Sequence, residues 1–256
     1  ALYVGDHILQ RGEPLTLIAP PEAGKSRLLI QMIAAACARY EKFLSFTIQP
    51  AAHSLRWLVI QSENSLNRLR DERNRIHAWL TSADPANGQH AWIAFNQQCR
   101  ILVRRNDSDS FLALTETGNL KRLQRSIELL APDVICFDPL YEFTTKDLNK
   151  DVDMRELCLL IRRLASHRNP NRSIIVLHHA LPGSSGAVKA TGYDAGTFGR
   201  NSKVLLGWTR AQINLAKDPA EDSSLISLTC GKCSDVPPFP PAAIQLNPLT
   251  LIYELV

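Results

Sequence analysis

Residues 17–30 read LIAPPEAGKSRLLI: an apolar run, a loop with two prolines that closes on Gly24-Lys25-Ser26, and an apolar helical pattern. A strand, a loop and a helix N-terminus in this order are what a phosphate-binding loop requires, because backbone N–H groups and the helix dipole converge on the anion. The lysine adds positive charge, and the Ser hydroxyl ligates magnesium in such loops. We therefore predict a site for a nucleotide phosphate and Mg²⁺ made of Ala19, Pro20, Pro21, Glu22, Ala23, Gly24, Lys25, Ser26 and Arg27.

This loop departs from the usual pattern at two positions, since Ala19 and Glu22 stand where glycine is common. Most of the donors in a phosphate-binding loop come from the backbone, so these departures matter less than the loss of Lys25 would. A chance Gly-Lys-Ser after a strand is the alternative, and the placement of the loop favours the functional interpretation.

Carboxylates follow two of the other apolar strands that the sequence predicts. Asp138 closes the run DVICFD, where a phosphate-binding site places the acid that holds magnesium. Glu63 follows RWLVIQS, and we predict that it orients and deprotonates the attacking water. Glu142 is a second candidate for this base, and Asp133 is interpreted as a polar residue at a strand entrance. Taken alone, Asp138 also fits a turn cap and Glu63 a helix N-terminal carboxylate.

Two histidines, His178 and His179, end the run SIIVLHH. Adjacent strand residues point to opposite faces, so at most one of them can face the nucleotide, and a paired zinc site is not expected. We predict His179 as a sensor of the γ-phosphate, with a structural role for both histidines as the alternative.

Composition places the chain among globular proteins. Its 256 residues are 45% hydrophobic and 21% charged, which suits one large domain over residues 1–256. No run approaches the ~18 to 20 apolar residues of a membrane helix, so we expect a cytoplasmic protein without a membrane partner. Residue 1 is Ala, and the sequence leaves open whether the chain is part of a longer protein. No second ligand pair accompanies Cys230 and Cys233, which favours a structural interpretation of both.

Continuously apolar strands alternate with helices, a pattern typical of an α/β fold with a mostly parallel sheet covered by helices on both faces. The polar lead-in, residues 1–14, precedes this pattern, and residues 81–119 contain a short strand within a mixed polar region. Residues 180–200 are rich in Gly, Ser and Thr and are predicted to form a long mobile loop. Residues 203–256 predict short strands that extend the sheet in an antiparallel direction.

Several stretches together resemble the RecA-like ATPases of the RepA hexameric helicase type. They are LTLIAPPEAGKSRLLIQMIAAACA, WLVIQSEN, DVICFDPLYEF, IIVLHHALPGSSG and RNSKVLLGWTR, in the order and near the spacing of that family. The resemblance extends over residues 15–256. It implies that Lys25 and Ser26 are the Walker A residues, Glu63 the catalytic glutamate, Asp138 the Walker B aspartate and His179 the sensor.

The same resemblance assigns a role to two basic residues near the C-terminus. Arg210 is similar to the arginine finger that reaches the nucleotide of a neighbouring subunit, and Lys232 is similar to a lysine that lies near that finger. An arginine finger stabilises charge on the transferred phosphoryl group. If Arg210 acts in this way, activity depends on assembly.

The resemblance implies an oligomeric, magnesium-dependent ATPase that acts on DNA as a helicase or helicase-like motor in a homo-oligomer, expected to be a hexameric ring. Lys189, Arg200 and Lys203 are the predicted contacts with single-stranded DNA, since single strands bind in basic grooves. Tyr193 and Phe198 are candidates for stacking on bases, or they anchor the loop. Two alternatives stay open: a regulatory ATPase of the KaiC kind that reads no nucleic acid, and a recombination mediator.

Overall fold

Apolar strands of Leu, Ile and Val form the centre of a nine-stranded sheet in the computed structural model, which describes residues 1–103, 113–180, 195–199, 203–217 and 225–256. Six strands of this sheet run parallel, in the spatial order β10-β3-β9-β8-β6-β7. Their bounds are β3 Pro14–Ala19, β6 Trp57–Gln61, β7 Cys99–Val103, β8 Val134–Asp138, β9 Ser173–His179 and β10 Ala211–Lys217. Every residue of β3, β6 and β8 is buried, as expected of strands covered on both faces.

The C-terminal part of the chain extends this sheet in an antiparallel direction. The extension consists of β11 Leu225–Cys233, β12 Ala242–Leu246 and β13 Tyr253–Leu255. The predicted fold class is therefore confirmed, with one difference in where the extension begins. Residues 211–217 were predicted to belong to it, but β10 pairs in parallel with β3, so the antiparallel part starts at β11.

Helices cover both faces of the sheet. Helices α1 Lys25–Cys37, α2 Leu66–Ala83 and α3 Gly88–Gln98 pack on one face, and α4 Thr117–Leu130, α5 Asp151–Ser166 and α6 Lys203–Trp208 pack on the other. Alternate strand residues serve the two layers: Leu17, Val59 and Cys136 face α1–α3, whereas Ile18, Leu58 and Phe137 face α4–α6.

Three segments differ from the prediction. Helix α3 lies in the region that was predicted as mixed and polar, because its core contact is carried by Phe95 rather than by an apolar stripe. Residues 203–208 were predicted as strand but form α6. The lead-in contains a hairpin of β1 Leu2–Val4 and β2 Leu9–Gln10, and a second hairpin joins β4 Lys42–Phe43 to β5 Phe46–Thr47.

Short 3₁₀ turns complete the described chain at Pro50–Ser54, Leu140–Phe143 and Ala195–Thr197. Of the predicted loop, residues 181–194 and 200 lie outside the described ranges, while Ala180 pairs with Gly199 in an isolated bridge. Within the described ranges, no helix has both the length and the apolar character needed to cross a membrane.

Parallel strands place their carboxyl ends at one edge of the sheet, and here four neighbouring strands do so. We call this end, at Ala19, Gln61, Asp138 and His179, the phosphate edge. At the other end of the strands, which we call the opposite edge, the backbone N–H of Arg210 donates to Pro14 O at 2.8 Å.

Candidate nucleotide site

The loop after β3 presents backbone N–H groups to the phosphate edge. Gly24 has a left-handed conformation, with φ 73° and ψ 23°, and Glu22 is also left-handed at φ 62°. Gly24, the N-cap residue of α1, provides no side-chain cap, and the first turn of this helix carries no acidic residue. The N–H groups at this helix N-terminus therefore meet the requirements of an anion site.

A residue near the C-terminus closes the space beneath this loop. The Tyr253 hydroxyl donates to Ala23 O at 3.2 Å, and a Cβ at Gly24 would lie 1.8 Å from that hydroxyl oxygen. The side-chain amide of Gln31 in α1 holds the backbone of Tyr253: Nε2 donates to Tyr253 O at 2.8 Å, and Oε1 accepts from Tyr253 N at 2.9 Å. Glycine is thus required at position 24 by sterics and by φ together. The sequence contains no local signal for this long-range contact.

Lys25 lies at the N-terminus of α1 with 5% of its surface exposed. Its Nζ is 3.4 Å from His179 Nδ1, and since an ammonium group only donates, this contact assigns the histidine ring proton to Nε2. Burial lowers the pKa of Lys25, against the opposing effect of Glu63 and Asp138. Loss of solvation leaves the ammonium group with few partners, which favours its contact with an incoming phosphate.

Asp138 ends β8 and is 1% exposed. Gln61 Nε2 donates to its Oδ2 at 3.1 Å, whereas Oδ1 has no hydrogen-bond partner among the described residues. Burial raises the pKa of Asp138, and Ser26, Lys25 and Gln61 counteract this rise. Asp138 Oδ1 is a buried carboxylate oxygen without a hydrogen-bond partner in the described part of the chain, and the Ser26 hydroxyl lies near this carboxylate. Oxygen ligands of this kind are the ones that Mg²⁺ prefers. The predicted magnesium residues Ser26 and Asp138 therefore suit this ion.

Glu63 follows β6, and two donors converge on one of its carboxylate oxygens. His179 Nε2 lies 3.5 Å from Oε1, and the Tyr141 hydroxyl donates to the same atom at 2.6 Å. These contacts, of which that of His179 is the largest, together with Lys25 lower the pKa of Glu63 to about 2 despite its partial burial. The carboxyl group is thus ionised at neutral pH, in the form that accepts a proton.

The structure brings Lys25, His179, Glu63 and Asp138 together at the phosphate edge, as the sequence predicts. Sequence reasoning missed Tyr141 and Gln61, although Gln61 lies two residues before Glu63 and Tyr141 three residues after Asp138. Gln61 ends the strand before Glu63, and Tyr141 follows Asp138 in DPLYEF. A polar or aromatic residue within three positions of a carboxylate at a strand end is the signal that indicates them.

Other predicted residues lie farther from this cluster. Arg27 pairs with Glu72 of α2 at 3.8 Å, and Glu142 lies on the turn Leu140–Phe143. Asp133 accepts a hydrogen bond from Arg56 N at 2.8 Å at the start of β8, which agrees with its interpretation as a strand-entrance residue.

The predicted DNA residues are only partly described. Lys203 is exposed at the start of α6, whereas Lys189 and Arg200 lie outside the described residues, as does Tyr193. Phe198 is buried at 2% exposure in the core beside α6. Its ring therefore anchors the chain, and stacking on bases would require it to leave the core.

Arg210 and Lys232 lie at the opposite edge. The Arg210 guanidinium forms two hydrogen bonds with Asp235, one of them from Nε at 3.0 Å, and Gln10 donates to the same carboxylate at 2.8 Å. Lys232 Nζ donates to the carbonyls of Leu206 and Thr209, at 2.8 Å each, at the end of α6. In this chain Lys232 thus binds a helix C-terminus, and Arg210 is held at the surface.

One comparison with known proteins identifies a family for the part of the chain that carries this site. A sequence model of the family described as an AAA domain matches residues 2–181, which include every residue of the cluster at the phosphate edge. No curated protein matches the chain.

Proposed function

The chain belongs to the AAA domain family, whose members have a P-loop ATPase fold, and on this premise we propose that it is a magnesium-dependent ATP hydrolase that works as a ring-shaped homo-oligomer on single-stranded DNA. The observation that carries the proposal is the continuous contact from Lys25 through His179 to Glu63, next to buried Asp138.

Each of these residues has a task in ATP hydrolysis. The loop N–H groups and Lys25 bind and orient the phosphates, and Asp138 with Ser26 would hold the ion. Magnesium supplies positive charge that neutralises the phosphate oxygens. Glu63 orients water and accepts its proton. His179 bridges Glu63 and Lys25, so displacement of Lys25 towards a phosphate alters the hydrogen bonding of the base.

The position of Arg210 supports assembly. It lies at the opposite edge, beside Pro14 at the start of β3, whereas the phosphate loop follows the end of the same strand. Six residues of strand separate the two, about 20 Å at ~3.3 Å per residue. Arg210 therefore cannot serve the site of its own chain, and a role as an arginine finger requires a second copy.

The helicase or helicase-like role and the single-stranded DNA partner rest on the resemblance and on the exposed Lys203. A regulatory ATPase without nucleic acid is the second candidate. The modest net charge of +4 favours it because it gives only weak electrostatic attraction for DNA, and the burial of Phe198 favours it because a buried ring cannot stack on bases.

The test measures ATP hydrolysis against protein concentration, with and without Mg²⁺ and single-stranded DNA. The variants are Lys25→Ala, Arg210→Ala and, as a control, Arg155→Ala, an exposed arginine on α5. We expect specific activity that rises with concentration, increases with DNA and is lost in the first two variants. Strand unwinding then separates a helicase from a recombination mediator.

The contrary outcomes are equally specific. Hydrolysis that is indifferent to DNA and to Arg210 contradicts the ring motor and supports the regulatory ATPase. An active Lys25→Ala variant contradicts the assigned nucleotide site.

A further inference from the structure

The 3₁₀ turn Leu140–Phe143 fixes the position of an aromatic side chain that has no assigned role. Leu140 and Phe143 are fully buried, and the Phe143 ring packs edge-on against the Phe137 ring of β8, with the ring centroids 5.1 Å apart. Phe143 O also accepts a hydrogen bond from Leu114 N at 2.9 Å. Tyr141, between these anchors, is 38% exposed and projects from a turn that the core holds in place.

Tyr141 contacts both Glu63 and His179 at the phosphate edge. Its hydroxyl donates to Glu63 Oε1 at 2.6 Å, and its ring lies against the His179 ring with centroids 5.3 Å apart. A charge-assisted hydrogen bond of this length is among the stronger ones in proteins. Because Tyr141 and His179 both contact Oε1 of Glu63, the second carboxylate oxygen of Glu63 remains available to accept a proton from water.

Glu63 needs this support because the backbone around it does little to fix the position of its side chain. It belongs to the segment between β6 and α2, where Ser65 caps the helix by accepting a hydrogen bond from Arg68 N at 3.3 Å. A carboxylate on a connecting segment has several rotamers, and a base acts efficiently only when its oxygen is held in line with the water.

We propose that Tyr141 is a positioning residue for Glu63: its hydroxyl fixes Oε1, so that the second carboxylate oxygen is presented to the attacking water. This role rests on the proposed ATP hydrolysis. Burial and the neighbouring Glu63 raise the pKa of Tyr141, so the phenol keeps the proton that it donates. Glu142, next in sequence, is a competing acceptor for the same hydroxyl.

The test compares Tyr141→Phe with Tyr40→Phe, a matched control that removes a buried hydroxyl with no partner among the described residues. We expect Tyr141→Phe to lower kcat about tenfold, the effect of one hydrogen bond to a charged group, while KM and the affinity for an ATP analogue change less than about twofold. Tyr40→Phe should hydrolyse ATP like the native chain.

A double-mutant cycle identifies the residue through which Tyr141 acts. Glu63→Gln should lower kcat about 10² to 10⁴-fold, as expected for a lost general base, and Tyr141→Phe should add no further loss in that background. An equal loss in both backgrounds overturns the role. If the native chain hydrolyses ATP and Tyr141→Phe is fully active, only this role is overturned. If the native chain has no ATPase activity, the proposed function is overturned and this role with it.

Discussion

The two ends of one parallel sheet carry charged groups in opposite environments. At the phosphate edge, Lys25 and Asp138 are almost fully buried and linked through neighbouring side chains. At the opposite edge, the Arg210 side chain is 46% exposed and contacts Asp235. Desolvated charges are stabilised only by defined partners, while exposed ion pairs exchange partners readily. Under the proposed function, the site of one chain lacks a single cation, and Arg210 would leave Asp235 to supply that cation to another chain.

The first prediction tests whether Arg210 acts at the nucleotide site of a neighbouring chain. Arg210→Ala and Lys25→Ala should each lose ATPase activity, by about 10³-fold or more for the arginine if it is a finger. Mixed in equal amounts, they should recover up to about a quarter of the native rate, because some interfaces then combine an intact loop with an intact arginine. The measurement is steady-state hydrolysis of the mixture.

Absence of recovery, in a mixture where an affinity-tagged variant co-purifies with the untagged one, contradicts a role for Arg210 in trans. The control is Arg155→Ala mixed with Lys25→Ala. It gives the rate expected when an inactive chain dilutes chains that are active on their own, and complementation is judged against that rate.

The second prediction concerns the phosphate edge alone. Gly24→Ala places a Cβ against the Tyr253 hydroxyl and forces a left-handed φ that costs an L residue about 1–2 kcal/mol. We expect the affinity for an ATP analogue to fall about tenfold or more, since 1.4 kcal/mol corresponds to a factor of ten. Fluorescence titration measures it, with Gly118→Ala in α4 as control, because a Cβ there contacts nothing within 4 Å. Equal effects of the two substitutions contradict the tight fit at Gly24.

Tyr253 illustrates what the sequence predicts and what it does not. The apolar strands, the loop of residues 19–26 and the strand-terminal Asp138 and His179 follow from local patterns, because each motif is contiguous. The contact of Tyr253 with the loop joins residues 230 positions apart and has no local signature. The same holds for the side-chain contact between Tyr141 and Glu63, since the sequence places each residue at the edge but gives no rotamer.

Helices α3 and α6 show a second limit. Their sequences lack an apolar stripe of helical period, and few of their residues are buried: Gly88 and Phe95 in α3, Leu205 in α6. Tertiary packing therefore decides their conformation more than local preference does. The parallel pairing of β10 with β3 likewise depends on the direction in which the chain returns from α6.

The third prediction sharpens the account of the opposite edge. Asp235→Asn removes the charge that fixes the Arg210 guanidinium while the side-chain shape is kept. If Asp235 orients Arg210 for a neighbour, the ATPase rate at fixed protein concentration should change a few-fold, and the thermal midpoint should hardly move because exposed ion pairs contribute little to stability. A large drop in the midpoint with no change in specific rate would indicate that the pair only stabilises the fold.

The fourth prediction has the smallest expected effect and examines the charge of Glu63. Its pKa is lowered from 4.5 to about 2 by His179, Tyr141 and Lys25, so its contribution to stability is present above pH 4.5 and is lost as the pH falls towards 2. Glu63→Gln removes this titration. The stability advantage of the native chain over the variant should therefore be larger at pH 6 than at pH 3, as measured by urea unfolding at both values.

The size of this difference is limited because the Glu63 side chain is 32% exposed and solvent screens its interactions. Asp138 provides a contrast within the same site, since burial raises its pKa and thus opposes its ionisation. In Asp138→Asn the pH dependence should change in the opposite sense, because a carboxylate whose pKa is raised destabilises the fold when it ionises. If both variants change in the same direction, the environments of the two carboxylates differ less than the structure indicates, which contradicts the proposed division of roles between Glu63 as base and Asp138 as magnesium ligand.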